Sequence, residues 1–487
     1  MKKVSILIKI LFIISLFFVN IVNASGTSST LEHTKKAIVT IDSRIAVSAY
    51  KDIGSWTGTG FVTDKENGFI VTNAHVIGRA SIGTYFVTFH SGQQAEAKLI
   101  YYDSWQDYAI LKVAKSDLPE SVEQIVFSGE VPKLNQSVFV VGNTEAQGFS
   151  FHSGYLSDLY SIDGEMPQGS YIINLNITGG ASGSPVLNEK NEAIGIIYGG
   201  GQTYAFALHS DYVQRSLESL KNNKVPNRNH IGIITELYSL NKAVRHRNFP
   251  QAEMDAYLKK FPDARNRVVI VKTIIPASPA EKLLKPGDII WEINNIELGG
   301  NLTVFDKEMD NSKNTNIKLT IYREGKKIEQ TIDLYNINNN KIEQLVNFGG
   351  AIFFEADDYC SSKSGVPLKA LTIATVQSGS SFSAIPAYFT QDYKNLYRTH
   401  IYEIENHKLD NIKDLIKYMP DITKEKFITI RFRNYQPYYS SFGHSFISSH
   451  DDMIADIVLD SIDTKPYILK YNSISNEWST EDIELRD

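Results

Sequence analysis

Gly180-Ala181-Ser182-Gly183-Ser184-Pro185 sets a serine between glycines in what reads as a tight turn. A serine hydroxyl is a poor nucleophile at neutral pH unless an adjacent base takes its proton. Upstream, Val71-Thr72-Asn73-Ala74-His75-Val76 supplies an imidazole, whose ordinary pKa lies near working pH. Between the two, Asp107-Tyr108-Ala109-Ile110-Leu111-Lys112 puts an aspartate at the head of an apolar run, where a buried carboxylate needs a partner. His75 as base, Asp107 as the group that fixes its tautomer and Ser182 as nucleophile make one catalytic set. The glycines let the turn present the Ser182 hydroxyl and aim the N–H groups of Gly180 and Ser182 at a developing oxyanion. Such donors are each worth about 2.7–4 kcal/mol.

Each member has a competitor. An isolated Asn-Ala-His in a β domain is more often structural, and only its company makes His75 catalytic. Asp103 competes with Asp107 but does not head the apolar run. Ser184 competes with Ser182, yet only Ser182 has glycine two before and one after it. The 11 histidines show no HExxH or Cys/His spacing, so no metal site is expected. Nor is there a P-loop, and no cofactor is expected.

Outward from these stretches, about Lys36 to Val213 is a succession of short β-patterned runs punctuated by Gly and Asn. Phe69-Ile70-Val71-Thr72, Tyr85-Phe86-Val87-Thr88-Phe89 and Ser137-Val138-Phe139-Val140-Val141 are examples. This spacing predicts a mainly β unit, barrel or sandwich. Tyr212 to Asn222 has helical spacing and closes it, and Lys221 to Asn229 reads as a polar linker.

The whole chain has 487 residues, more than one core of about 250–300 residues carries, so about three units are expected. Its 42% hydrophobic and 21% charged residues are ordinary for globular protein. A net charge of −6 leaves no broad cationic face, so nucleic acid is not expected as a partner. The basic cluster Lys242 to Arg247 reads as a solvated face.

Met1-Lys2-Lys3, the apolar Ile10 to Val22 and the small residues at Val22-Asn23-Ala24 form an export signal over residues 1–24. Cleavage would leave Ser25 first, in a Ser/Thr-rich tail to Thr34, with no membrane span remaining. The competing reading is an uncleaved anchor. The expected location is therefore periplasmic or secreted, or membrane-anchored if the signal stays. Cys360 is the only cysteine, so stability comes from cores, and the thiol reads as structural.

From His230 to about Asn338, Val268-Val269-Ile270-Val271 is a strand, Pro276-Ala277-Ser278-Pro279-Ala280-Glu281 opens a short helix and Ile289 to Asn294 is another strand. Asn316 to Tyr322 follows as a strand, and Glu324-Gly325 turns it back. Tyr335 to Lys341, rich in Asn, reads as a second linker. The plan then returns loosely: strand Leu371 to Val376, strand Ile401 to Asn406, helix Ile412 to Tyr418 and strand Phe427 to Phe432. This is a diverged internal duplication, interrupted by a loop over Tyr438 to His450.

These motifs resemble the Deg/HtrA serine proteases. Thr57-Gly58-Thr59-Gly60-Phe61-Val62 resembles the family's opening strand, Thr72-Asn73-Ala74-His75-Val76 its histidine motif, and Tyr204 to Leu208 the strand after its serine. Pro286-Gly287-Asp288-Ile289-Ile290 is typical of its PDZ region, and the large second unit with Val458-Leu459-Asp460 and Tyr467 to Lys470 resembles the plant-type Deg branch. The resemblance implies a chymotrypsin-like double β-barrel over residues 35–222. Two PDZ-like α+β domains would follow at 228–338 and 345–470. It implies a serine endopeptidase for unfolded or damaged exported polypeptides, independent of ATP, assembled as a trimer or a multiple of trimers. It also implies that Ile177 lines the pocket for the residue before the cut, with Tyr198 nearby in sequence.

Three departures stand out. The family usually has Asn where this chain has Ala181. Val268 replaces a frequent Gly and would be strained at positive φ. Ile231-Gly232-Ile233 resembles the carboxylate-binding loop, while the second unit shows no comparable loop. Two other function classes remain open at this stage: a pseudoprotease acting as a chaperone, and a PDZ scaffold on a β platform.

Overall fold

A computed structural model describes residues 32–485, apart from 51–52, 80, 145–146, 163–167, 389–397, 438–447, 460–464 and 474. The export-signal reading of residues 1–24 lies outside the described residues, as do Ser25 to Leu31 and most of the loop expected at Tyr438 to His450. The end of the expected tail differs from the reading: residues 32–35 form a helical turn, with Lys35 bonded to Glu32 at 3.0 Å.

Two six-stranded barrels close in succession. The first consists of β1 (Ile38–Ser48), β2 (Gly54–Asp64), β3 (Phe69–Thr72), β4 (Ser81–Phe89), β5 (Gln94–Asp103) and β6 (Tyr108–Lys112), in spatial order β1-β2-β3-β6-β5-β4. The second consists of β7 (Ser137–Thr144), β8 (Gln147–Ile162), β9 (Gly169–Asn174), β10 (Pro185–Leu187), β11 (Ala193–Gly200) and β12 (Ala205–His209), in order β10-β11-β12-β9-β8-β7.

Side chains alternate along a strand, and here both faces are covered. Val39, Val62, Ile70 and Leu111 fill the first barrel, and Val138, Val140, Ile173 and Val186 fill the second. Their neighbours Ile38, Phe61, Val71, Ile110, Val141 and Leu187 form a third core between the barrels. Helix α1 (Ser210–Lys221) closes that core with Tyr212, Val213 and Leu217. Each such Val or Ile contributes about 1.5–3 kcal/mol by burial, and Ile110→Ala would cost about 2–5 kcal/mol.

The next unit is a six-stranded sheet ordered Ile233–Ser239, Arg267–Ile274, Ile289–Ile293, Asn316–Arg323, Lys326–Asp333, with Ile296–Glu297 paired to the third. Helices α2 (Leu240–Arg247), α3 (Gln251–Lys260) and α4 (Leu302–Asn311) cover it. Val268 sits in a strand, buried, and the left-handed residues are Arg265 and Asn266 just before it. No strain arises at Val268.

The last unit is a nine-stranded sheet with helices α5 (Asp358–Ser364) and α6 (Ile412–Ile422). Cys360 is buried there, and burial pushes its thiol well up, as a structural cysteine requires. One expectation is corrected: the second unit does have a counterpart of the Gly232 loop. Gly350 has φ 76° against 88° at Gly232, and a Cβ would meet Ser380 in one place and Ser278 in the other. The Gln377 N–H donates to Gly350 O at 2.8 Å, as the Ile275 N–H donates to Gly232 O at 2.9 Å.

What differs between the two copies is the chain in front of the loop. Gln344–Phe348 folds back on Ala351–Glu355 with Phe348 opposite Ala351, and Tyr467–Asn472 pairs with its other side. The strand edge that a peptide would join is taken by the chain itself. The motif escaped the sequence reading because Phe348-Gly349-Gly350-Ala351 is also what a two-residue hairpin asks for.

Neither expected linker is slack. Asn229–His230 pairs with Tyr335–Asn336. Arg228 is buried and bonded to Asp103 at 2.5 Å and to both oxygens of Asp310 at 2.6 and 2.7 Å. The Lys341 ammonium donates to Tyr102 O at 2.6 Å. Polar composition mimicked a linker because these groups find their partners on neighbouring units.

Candidate active site

β3 and β6 are antiparallel neighbours with Thr72 opposite Ala109. The chain leaving Thr72 and the chain entering Ala109 therefore share one end of the first barrel, and that register brings His75 to Asp107. The Asp107 carboxylate accepts from His75 Nδ1 at 2.7 Å through one oxygen and from the His75 backbone N–H at 2.9 Å through the other. Arg79 Nη2 lies 3.3 Å from that second oxygen. Asp107 itself is left-handed (φ 54°), a conformation Asp tolerates better than most residues, and Asn73 Nδ2 holds its carbonyl at 2.9 Å.

The Asp107 side chain is only 3% exposed and that of His75 is 25% exposed. Burial pushes the Asp107 carboxyl up, but His75 and Arg79 beside it outweigh this and hold it below its ordinary value. Asp103, the competitor, is engaged elsewhere, by Arg228 and by the Gln106 N–H.

The Ser182 turn enters β10 and is tied to the first barrel through Thr59. The Thr59 N–H donates to Ser182 O at 2.9 Å, and its hydroxyl donates to Gly180 O at 2.7 Å while accepting from the Asn143 N–H at 2.9 Å. Thr72 Oγ1 donates to Thr59 O at 2.7 Å, which links the turn to the strand that leads to His75. Gly183 is obligatory: its φ is +90°, and a Cβ would lie 1.9 Å from Thr59 O.

Among the described residues, no protein acceptor takes the N–H of Gly180 or Ser182. The Ser182 hydroxyl is not hydrogen-bonded to the imidazole, a separation common in unliganded sites, where that bond tightens only with substrate. Ala181 is buried in the core of the second barrel, so an apolar side chain suits that position.

The two expected pocket residues are not brought together. Ile177 belongs to the core of the second barrel. Tyr198, two places past Ile196 on the same face of β11, joins the core between the barrels, and its hydroxyl is bonded to Ser170 at 2.8 Å. Its place in that core is the reason, and Tyr198 is withdrawn as a pocket residue. The neighbours of Ile177 are instead Gly200, where a Cβ would lie 3.0 Å from its Cδ1, and Gly201, whose carbonyl accepts its N–H at 3.3 Å. A Cβ at Gly199 or Gly201 would meet nothing within 4 Å. This Gly-rich strip, Thr59 and Arg79 escaped the sequence reading, and only the Thr-Gly-Thr-Gly pattern hinted at Thr59.

At the loop expected to bind a carboxylate, the Gly232 N–H already donates to His230 Nδ1 at 3.1 Å. Burial, and then the neighbouring Arg228, hold the His230 imidazole neutral with a pKa of about 3, so this nitrogen keeps its lone pair. Trp105 from the first barrel lies against the His230 ring at 4.5 Å. Among the described residues, no cluster of His, Cys, Asp or Glu has the arrangement of a metal site, and no helix is long and apolar enough to cross a membrane.

Residues 58–196 match the family model of the trypsin-like peptidase domain, and residues 253–334 match that of the PDZ domain. Uncharacterized protein RP187 of Rickettsia prowazekii is 63% identical over 191 residues, 39% of this chain and 98% of that protein. The pro-apoptotic serine protease NMA111 of Debaryomyces hansenii is 27% identical over 390 residues, 77% of this chain but 38% of that protein. Its namesake in Vanderwaltozyma polyspora is 26% identical over 474 residues, 93% of this chain and 45% of that protein. This chain thus spans less than half the length of those fungal relatives. A solved HtrA-type protease, AlgW with tripeptide, is similar at a TM-score of 0.46 and 18% identity, over 63% of this chain and 96% of that one.

Proposed function

The chain belongs to the Deg/HtrA serine peptidases, a trypsin-like domain followed by a PDZ region, and from that premise we propose an ATP-independent endopeptidase for unfolded polypeptides. The observation that carries the proposal is the buried Asp107–His75 pair, tied through Thr72 and Thr59 to a Gly-flanked Ser182 turn with free N–H groups. In this reading Ser182 Oγ attacks the peptide carbonyl carbon as His75 Nε2 takes its proton. Asp107 stabilises the imidazolium, and the Gly180 and Ser182 N–H groups hold the oxyanion. His75 then returns the proton to the departing amine, and water, activated by the same imidazole, hydrolyses the acyl-enzyme.

The substrate backbone would lie along the open Gly199–Gly201 strip, with Ile177 bounding the pocket for the residue before the cut. The proposed units are residues 35–222, 228–338 and 345–470, following an export signal at 1–24. The proposed substrates are damaged exported proteins, and the proposed assembly is a trimer or a multiple of trimers.

Fluorophosphonate labelling tests the chemistry, because only a working triad and oxyanion hole acylates readily. The full chain should label at Ser182 and degrade casein without ATP or added metal. Ser182→Ala should fold normally and lose turnover by about 10⁴-fold or more. No labelling, together with suppressed aggregation of a client, would favour the chaperone reading instead. Unchanged proteolysis in Ser182→Ala would remove the assignment.

A further inference from the structure

The Asp107 carboxylate has a third neighbour that the triad chemistry does not require. Arg79, four residues after His75, places Nη2 3.3 Å from Asp107 Oδ1, and its side chain is 13% exposed. The guanidinium also lies over the ring of Tyr359, with Cζ 4.6 Å from the ring centroid. Tyr359 belongs to α5, in the last unit of the chain.

That ring is itself anchored. Tyr50, from the chain just after β1, meets it edge-on at 5.0 Å and donates from its hydroxyl to Asp357 Oδ1 at 2.5 Å. Asp357 caps α5 by accepting from the Cys360 N–H at 2.8 Å. A continuous set of contacts therefore runs from the start of α5, through Tyr359 and Arg79, to the carboxylate that orients His75.

We infer that Arg79 is a positioning residue of the triad, clamped on Asp107 by the Tyr359 ring, so that seating of the C-terminal unit on the first barrel completes the catalytic site. The inference rests on the reading of His75, Asp107 and Ser182 as the triad. Physically, Arg79 on Oδ1 fixes the rotation of the carboxylate, leaving Oδ2 for the imidazole. Its positive charge opposes formation of the imidazolium and offsets part of the attraction of Asp107, so its removal favours the imidazolium.

Among the described residues, Cys360, Tyr102 and Lys369 act on the Tyr50–Asp357 pair, and further charged and titratable groups face the arrangement. These include His75 and Asp107 on the barrel, Lys363 at 5.7 Å from the Tyr359 ring, the Tyr50–Asp357 pair, and Asp358, which Tyr335 and Asn340 hold from the other side. The ring face attracts the cation over it, which selects one guanidinium position.

Two readouts on the full chain separate this inference from the triad reading: the pH dependence of fluorophosphonate labelling, and the His75 imidazole titration followed by NMR with [15N]histidine. Arg79→Gln should move both the acid limb of labelling and the imidazole titration upward, by about 0.5 unit or more. Tyr359→Leu should do the same to a smaller extent, while Arg79→Lys and Tyr359→Phe, which keep the charge and the ring, should stay near the parent. A parent chain that never labels would sink the triad reading alone, since the NMR titration still reports the coupling. A labelled parent whose titration is unmoved by Arg79→Gln would overturn the role of Arg79. A shift with Arg79→Gln but none with Tyr359→Leu would overturn the coupling to the C-terminal unit.

Discussion

Thr59→Val is the substitution that most directly tests how the nucleophile turn is held. Valine keeps the shape of threonine but strips the hydroxyl, leaving the Gly180 carbonyl and the Asn143 N–H without the partners they have at 2.7 and 2.9 Å. Each buried backbone group so orphaned costs about 1–3 kcal/mol, so the site loses about 2–6 kcal/mol. Thr59 is fully buried and Gly180 is not, so water recovers part of the carbonyl's loss and the lower end applies.

If the cost falls on the turn, about 2 kcal/mol slows acylation about 30-fold, because the released Gly180–Ala181 peptide lets the Ser182 N–H next to it swing away from the oxyanion. The assay is the rate of fluorophosphonate labelling, run beside a urea titration that reports any loss of global stability. Thr59→Ser retains the hydroxyl and should label within about threefold of the parent. Labelling at the parental rate in Thr59→Val, with an unchanged urea midpoint, would mean that Thr59 does not position the turn.

Two further outcomes follow from buried groups. Asp306, bonded to the Tyr212 hydroxyl at 2.6 Å where α4 meets α1, is pushed by burial from 3.8 to about 7. The unfolded chain releases this proton above pH 3.8 while the folded chain keeps it to about 7, so stability falls as pH rises through that window and then levels. Asp306→Asn should therefore gain on the parent between pH 4.5 and 7.5, by roughly 3 kcal/mol in urea titrations. An equal gap at both pH values would rule out the titration. Ile177→Ala should enlarge the pocket and shift cleavage of casein toward larger aliphatic residues before the cut, by about 1–3 kcal/mol of discrimination. A cleavage profile dominated by Lys or Arg in the parent chain would exclude Ile177 from that pocket.

The barrels, and the pairing of His75 with Asp107, were legible because each leaves a local trace. The run Phe69-Ile70-Val71-Thr72 reads as a strand, and its Ile70 and Val71 are both fully buried, Val71 facing the inter-barrel core and Ile70 the barrel interior. Asp107 was separable from Asp103 because it heads the apolar run of β6, and the β3–β6 register brings it to His75 while Asp103 is engaged by Arg228. Tyr198 was misassigned because proximity in sequence says nothing about which face of a strand a side chain occupies. One position along β11 separates Ile197, inside the barrel, from Tyr198, outside it.

What lies between the units left no such trace, for a physical reason. A polar, Asn-rich stretch has one composition whether it is hydrated or paired with a distant segment. Tyr335 to Lys341 read as a linker because its Lys and Asn groups suit water, yet Lys341 is half-buried against Tyr101 and Tyr102 with its ammonium on a backbone carbonyl. Arg228 likewise is a buried ion in a stretch read as slack, and its two carboxylates come from positions 125 residues before it and 82 after it. Burying such a cation is costly unless its partners are in place. The joint between barrel and PDZ-like sheet is therefore either fully assembled or strongly disfavoured, which gives the interface one geometry. That geometry sets Trp105, two residues before Asp107, against His230, so one short stretch of chain both receives the PDZ-like unit and carries the carboxylate bonded to His75.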